Sequence, residues 1–201
     1  VVQQTQTVEV PLSPSLSAAT RSSMAWRFVD SEENWIVSLA PDFISLETLA
    51  YTTFEDFSDR FDRVLRSLVN VFQPNPQTRI GLRYINEMSN EARPHIGDWR
   101  GLINDALLGA LCSEVFDEDV REAVHVINSQ QPDGTFALRF AVKTEGGSCK
   151  HILDFDYYNE EQKPIDVEAL ANVLRGYNGV VYKMFRWCIE DELLEQFEPI
   201  R

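Results

Sequence analysis

Two runs of alternating residues, 135–144 and 149–158, flank Gly146-Gly147, and no other feature of the chain constrains its fold as tightly. Alternation with period two marks strands that bury one face. A glycine pair between two such runs signals a tight hairpin, because both central positions of that turn need positive φ. With the glycines at the turn, the residue numbers of facing partners sum to 293. The buried side then pairs Phe140 with Leu153, Leu138 with Phe155 and Phe136 with Tyr157. The other side sets Arg139 across from Asp154. A cation facing an anion in a register fixed only by the turn supports the pairing.

The rest of the chain supplies partners for this hairpin. Met24, Trp26 and Phe28 alternate with Ala25 and Arg27, a polar turn follows at residues 30–34, and Trp35, Val37 and Leu39 resume the alternation. With a third strand over 43–49 these residues predict a meander. Phe54, Phe57, Phe61, Val64, Leu65, Leu68, Val71 and Phe72 fall at steps of three and four, with Asp56, Asp59, Arg60, Arg63 and Arg66 on the other side. That period predicts an amphipathic helix, opened by Thr52 with Glu55 or by Thr53 with Asp56 and closed by Gln73-Pro74-Asn75-Pro76. Residues 99–111 predict a shorter helix that Asn104-Asp105 or Gly109 could interrupt, and 120–129 a strand with Val124 and Val126 on one face. A second long helix starts at Pro164 and Asp166, carries Leu170, Val173, Leu174, Tyr177, Val180, Val181, Met184, Phe185, Cys188, Ile189 and Leu193 on its apolar stripe, and closes at Pro199. Gly176 and Gly179 inside it mark close packing, a bend or a break.

Residues 79–86, Arg-Ile-Gly-Leu-Arg-Tyr-Ile-Asn, predict the central strand of a sheet, with Ile80, Leu82 and Tyr84 facing one way and Arg79, Gly81 and Arg83 the other. Runs of strands followed by single helices give an α+β fold. The expected architecture is antiparallel sheets in two pseudo-repeated strands-then-helix halves, about 21–90 and 99–201 of one domain, with both long helices packed on one face. Residues 1–20, rich in Gln, Thr, Ser and Pro, read as an arm or linker, or as an edge strand at Val8-Glu9-Val10.

Several of these pieces together resemble a sporadically distributed family of uncharacterised prokaryotic proteins. They are Trp35-Ile36-Val37-Ser38-Leu39, Leu46-Glu47-Thr48-Leu49-Ala50-Tyr51, Phe54-Glu55-Asp56-Phe57, the 79–86 string, Leu153-Asp154-Phe155-Asp156 and the terminal Phe197-Glu198. The resemblance spans roughly 24–198. It implies the same fold, additional N-terminal sequence in family members, and a scattered occurrence like that of mobile or defence-linked genes. It assigns no catalytic residues.

Candidate sites follow from side chains that share a face. Arg79 and Arg83, with Asn86 close by and Arg139 and the Asp154/Asp156 pair across the sheet, could form a small-anion or nucleotide site, with Gly81 admitting the ligand. The structural alternative is a salt-bridge network that satisfies all five charged side chains internally. Two carboxylates without further ligands specify no metal, and no cofactor is implied. Cys149 and His151 share a strand face as a nucleophile and its base would, yet nothing in the sequence orients the imidazole, so no catalytic residue is assigned. Tyr51, Trp99, Tyr157, Tyr158 and Trp187 read as core before they read as a binding surface.

The 201 residues carry 18 basic and 32 acidic side chains, a net charge of −14, which disfavours direct nucleic-acid binding. It allows a protein partner, self-association, or mimicry of DNA. Three cysteines match no zinc spacing, and their odd count argues for a reducing cytoplasm. No apolar run is long enough to span a bilayer and no leader is visible; the first residue, Val1, points to a trimmed start. The expected function is a non-catalytic interaction module in a multi-component prokaryotic system, with the anion site and the DNA mimic as alternatives.

Overall fold

The computed structural model describes residues 2–8, 22–74, 76–113, 115–116 and 120–196. The chain divides into two compact units, Val1–Leu68 and Val69–Arg201. The fold is α+β with antiparallel sheets, and each unit takes strands first and a long helix after.

The first unit holds the strands β1 (Val2–Val8), β2 (Ser22–Val29), β3 (Trp35–Leu39) and β4 (Ile44–Thr48), joined as a meander in that order. The arm expected at the start thus carries a strand over its first residues, whereas Glu9, Val10, Pro11 and Pro14 lie outside the described residues. The β2–β3 turn is held by Asp30, whose carboxylate accepts from the backbone N–H groups of Asn34 at 2.8 Å and Trp35 at 3.1 Å. Helix α1 (Phe54–Phe72) follows. Of its two possible caps the chain uses Thr53, whose Oγ1 accepts from the Asp56 N–H at 3.2 Å. Phe57 stacks on Trp35 with ring centroids 6.2 Å apart, and Arg60 lies over the same indole at 4.4 Å. Gln73 closes the helix in the left-handed region, at φ 49°, directly before Pro74.

The second unit is built on β5 (Ile80–Ser89), β6 (Glu122–Gln131), β7 (Gly134–Glu145) and β8 (Ser148–Asn159), in the order β5-β8-β7-β6. The β7–β8 register is the one the glycine pair dictates, Phe140 facing Leu153 and Arg139 facing Asp154, with Gly146 and Gly147 at φ 62° and 78°. The 79–86 string departs from expectation in two ways. It joins the second unit instead of closing the first, and its strand β5 stands at the end of the sheet order instead of at the centre. The central strands are β7 and β8, whose inner sides are apolar from Phe136 to Val142 and from Leu153 to Tyr157, with His151 as a buried polar exception. Gly134 opens β7 because the backbone of Tyr158 passes so close that a Cβ would lie 2.3 Å from its carbonyl oxygen.

One face of this sheet is the core. Leu138, Phe140, Leu153, Phe155 and Tyr157 are buried there. Helix α3 (Val167–Cys188) brings Tyr177 against Tyr157, at a centroid distance of 4.2 Å, and Phe185 against Phe155 at 6.3 Å. Tyr84 on β5 donates to Asn178 of the same helix at 2.9 Å. The expected helix at 99–111 is reduced to α2 (Asp105–Leu108), capped by the Asn104 side chain and ended at Gly109, with 3-10 turns on either side. Trp99, Leu102, Ile103, Leu107 and Leu108 of that stretch are buried.

Asp166 caps α3, accepting from the Ala169 N–H at 3.0 Å. The helix runs unbroken through Gly176 and Gly179 and stops only after Cys188, where α4 (Asp191–Gln196) begins; Pro199 lies outside the described residues. A Cβ at either glycine would meet nothing within 4 Å, so neither serves close packing. Alanine at each position is therefore expected to raise stability by about 1 kcal/mol through helix propensity alone. Urea denaturation of Gly176→Ala and Gly179→Ala measures this, and a loss of stability in either would mean the glycine has a packing role.

Candidate functional site

The other face of the second sheet gathers the charged candidates. Along β5 it carries Gly81, Arg83, Ile85 and Glu87, and the register sets these beside Tyr158, Asp156, Asp154 and Ile152 of β8. Arg83 lies directly beside Asp156 but reaches diagonally to Asp154 in a two-pronged pair, Nε to Oδ1 at 2.7 Å and Nη2 to Oδ2 at 2.8 Å. Arg139 of β7 adds a third bond to the same carboxylate at 3.3 Å. Asp154 is only 6% exposed, so these charge-assisted bonds hold an anion that burial alone would destabilise.

Arg79, just before β5, pairs with Asp156 at 3.2 Å and lies over the Tyr158 ring, 4.7 Å from its centroid. Burial pushes the Asp156 carboxyl above its usual range, against the pull of Arg79, Arg83 and Arg139. Gly81 has a specific reason here. A Cβ on it would come within 3.1–3.3 Å of the Arg79 guanidinium and the Tyr158 Cβ, so the glycine admits the side chain of Arg79, the role first expected for a ligand.

Five of the six expected binding residues thus meet on one face. Asn86 does not: it takes an even position on β5, opposite Leu153 and on the side of Leu82, Tyr84 and Met88. Nearer the β7–β8 hairpin the same outer face holds the pairs Lys150–Glu87 at 2.6 Å and Lys143–Glu145 at 2.7 Å, with Glu122 beside Lys143. Replacing Asp154 with alanine leaves Arg83 and Arg139 without their shared acceptor. Both guanidiniums reach water, which limits the penalty, and we expect a loss of about 2 kcal/mol. Chemical denaturation checks this, and a loss below about 0.5 kcal/mol would mark the cluster as an ordinary surface pair.

Cys149 and His151 do come together, Sγ to Nε2 at 3.3 Å, but on the inner face and fully buried. The imidazole packs 4.4 Å from Trp99 and 5.8 Å from Phe140, centroid to centroid. Burial pushes its pKa down to about 4 and the Cys149 thiol up, so both partners are driven to the neutral form and away from a thiolate–imidazolium pair. His151 Nδ1 has no hydrogen-bond partner among the described residues. Cys112, Cys149 and Cys188 are free thiols. Among the described residues no group of three or more His, Cys, Asp and Glu is placed to hold a metal ion, and no helix is long and apolar enough to cross a membrane.

Two features escaped the sequence. Asp133, at the β6–β7 turn, accepts the Tyr157 hydroxyl on its carboxylate, while its carbonyl accepts from Asn159 at 2.9 Å and Tyr177 at 3.2 Å. Burial and the Asp133 carboxylate hold the Tyr157 phenol above its usual range, which ties the turn to α3 through a hydroxyl that stays protonated. The second feature is exposed apolar surface. Met24, Trp26 and Phe28 share one face of β2 and are 53%, 48% and 43% exposed. On the outer face of the second sheet Ile85, Val124 and Val126 are 61%, 55% and 50% exposed. Alternation predicts which residues share a face, but not which face is covered. Trp99 and Tyr157 are core, whereas Tyr51 and Trp187 are exposed. Comparison with known protein families, with curated proteins and with solved structures returns no match.

Proposed function

We propose that the chain is a non-catalytic interaction module of a multi-component prokaryotic system, working through protein–protein contacts and self-association. The exposed row Met24, Trp26 and Phe28 carries this reading. Single exposed apolar side chains are ordinary, but three large ones in register on one strand cost solvation until something covers them. The Arg/Asp cluster adds support, since its guanidiniums already bind its carboxylates. The defence-linked setting comes from the family resemblance. A pull-down from source cells tests the module, with Trp26→Asp as the matched control. We expect a partner recovered by the natural chain and lost by the variant. A strictly monomeric protein that captures nothing would overturn the proposal.

A second reading, a small-anion or nucleotide site, draws on the presence of three guanidiniums for two carboxylates in the outer-face cluster. The DNA-mimic reading has less behind it. The acids of α1 alternate with arginines, Asp56 with Arg60 at 3.0 Å and Asp62 with Arg66 at 2.7 Å, so that surface presents no continuous acidic track.

A further inference from the structure

We infer that the outer face of the second sheet is the surface through which two copies of this chain associate, sheet against sheet. The inference rests on the interaction-module reading and names one surface of it. Three observations converge on the occupant.

The first is charge. The chain carries −14 overall, so two copies repel wherever acidic surfaces meet. The outer face is different. Its five bases, Arg79, Arg83, Arg139, Lys143 and Lys150, match its five acids, Glu87, Glu122, Glu145, Asp154 and Asp156, and it is locally neutral. A neutral patch offers little to a basic partner, which the rest of this acidic chain would draw elsewhere. It suits a surface of the same kind, because each base there is already paired with an acid of its own face, so a second copy brings no net charge and meets no repulsion.

The second is the apolar component. Ile85 on β5 and Val124 and Val126 on β6 flank the Arg83–Asp154–Arg139 cluster on either side. Each is at least half exposed, whereas Asp154 at their centre is already almost free of water. A desolvated polar centre between exposed aliphatic side chains is ready to be covered without further loss of solvation at the carboxylate.

The third is size. Four strands spaced by about 4.8 Å and running about 30 Å give a face of about 600 Å², so two copies would bury about 1,200 Å², the lower end of the range for specific association. Sheets packed in this way lie about 10 Å apart, a gap that aliphatic and arginine side chains fill.

Sedimentation velocity on the full chain over a wide concentration range tests the surface. The natural chain is compared with Val126→Asp and Ile85→Asp on the outer face, and with Tyr182→Asp on α3, which adds the same charge at an exposed aromatic remote from the strands. Circular dichroism verifies that each variant is folded, and two outer-face variants guard against the loss of one. We expect a species of twice the chain mass, with its dissociation constant raised at least tenfold by both outer-face changes and left within twofold by Tyr182→Asp. Self-association that survives both outer-face variants overturns this surface and leaves the interaction-module reading standing. A natural chain that stays monomeric at every concentration also overturns it, and the partner capture tested with Trp26→Asp then decides the broader reading alone.

Discussion

Phe155→Ala is expected to cost about 3–5 kcal/mol of folding stability, the largest effect of any single substitution considered for this chain. Phe155 sits on the central strand β8, fully buried, between Leu138 and Tyr84 on its neighbouring strands. Its ring lies 6.2 Å from Phe136 and 6.3 Å from Phe185 of α3, so truncation removes contacts within the sheet and between sheet and helix together. Backbone hydrogen bonds on both sides of β8 keep the strand from collapsing into the space, which places the cost toward the upper part of the range. Against a typical domain stability of about 5–15 kcal/mol, such a loss shifts the urea midpoint far down or abolishes folding. Val126→Ala, on the outer face, should cost less than about 1 kcal/mol in the same assay. Similar losses at the two positions would mean that the buried and open faces are wrongly distinguished.

The second large effect is pH-dependent. His151 is buried against Trp99 and Phe140, and its folded pKa of about 4 lies below the value of 6.5 for an ordinary imidazole. Above pH 6.5 the group is neutral in both folded and unfolded chains, and its burial carries no protonation penalty. As pH falls below 6.5 the unfolded chain takes up the proton first, and stability is lost progressively until the folded imidazole titrates near pH 4. The total loss across that window is about 3 kcal/mol, and about 2 kcal/mol of it is reached by pH 5. Other groups titrate in the same range, so the informative quantity is the difference between the natural chain and His151→Phe. Urea titrations at pH 7.5, 6 and 5 should show a shallower pH dependence in the variant. Equal slopes would show that the imidazole has access to water or to a proton acceptor in the folded state.

Much of this fold was legible in the sequence because it depends on local rules. Gly146-Gly147 dictated the β7–β8 register and hence the Arg139–Asp154 neighbours. The three-four spacing from Phe54 to Phe72 gave α1, and Thr53 and Asp166 marked helix starts as capping residues do. What stayed hidden depends on which strand pairs with which. The 79–86 string is followed by a long connection, and nothing local says that its partner is β8, 67 or more residues later in the chain. Placing it beside β8 is what brings Arg83 to Asp154, a diagonal pairing that a list of strands cannot supply. Asn86 stands apart from the cluster because its even position on β5 turns it to the side of Leu82 and Tyr84. Asp133 was passed over because an aspartate in a turn looks like solvent-facing polarity until two tyrosines are folded onto it.

The Arg/Asp face pairs Arg79 with Asp156 and both Arg83 and Arg139 with Asp154, and we propose that these pairs leave it no affinity for a small anion. The most direct test is the thermal stability of the natural chain and Arg83→Ala, measured with and without inorganic phosphate and ATP at constant ionic strength. We expect Arg83→Ala to melt below the natural chain, and neither protein to be shifted by either ligand. A rise in the melting temperature of the natural chain with phosphate or ATP, abolished by Arg83→Ala, would contradict the claim and make the outer face a ligand site.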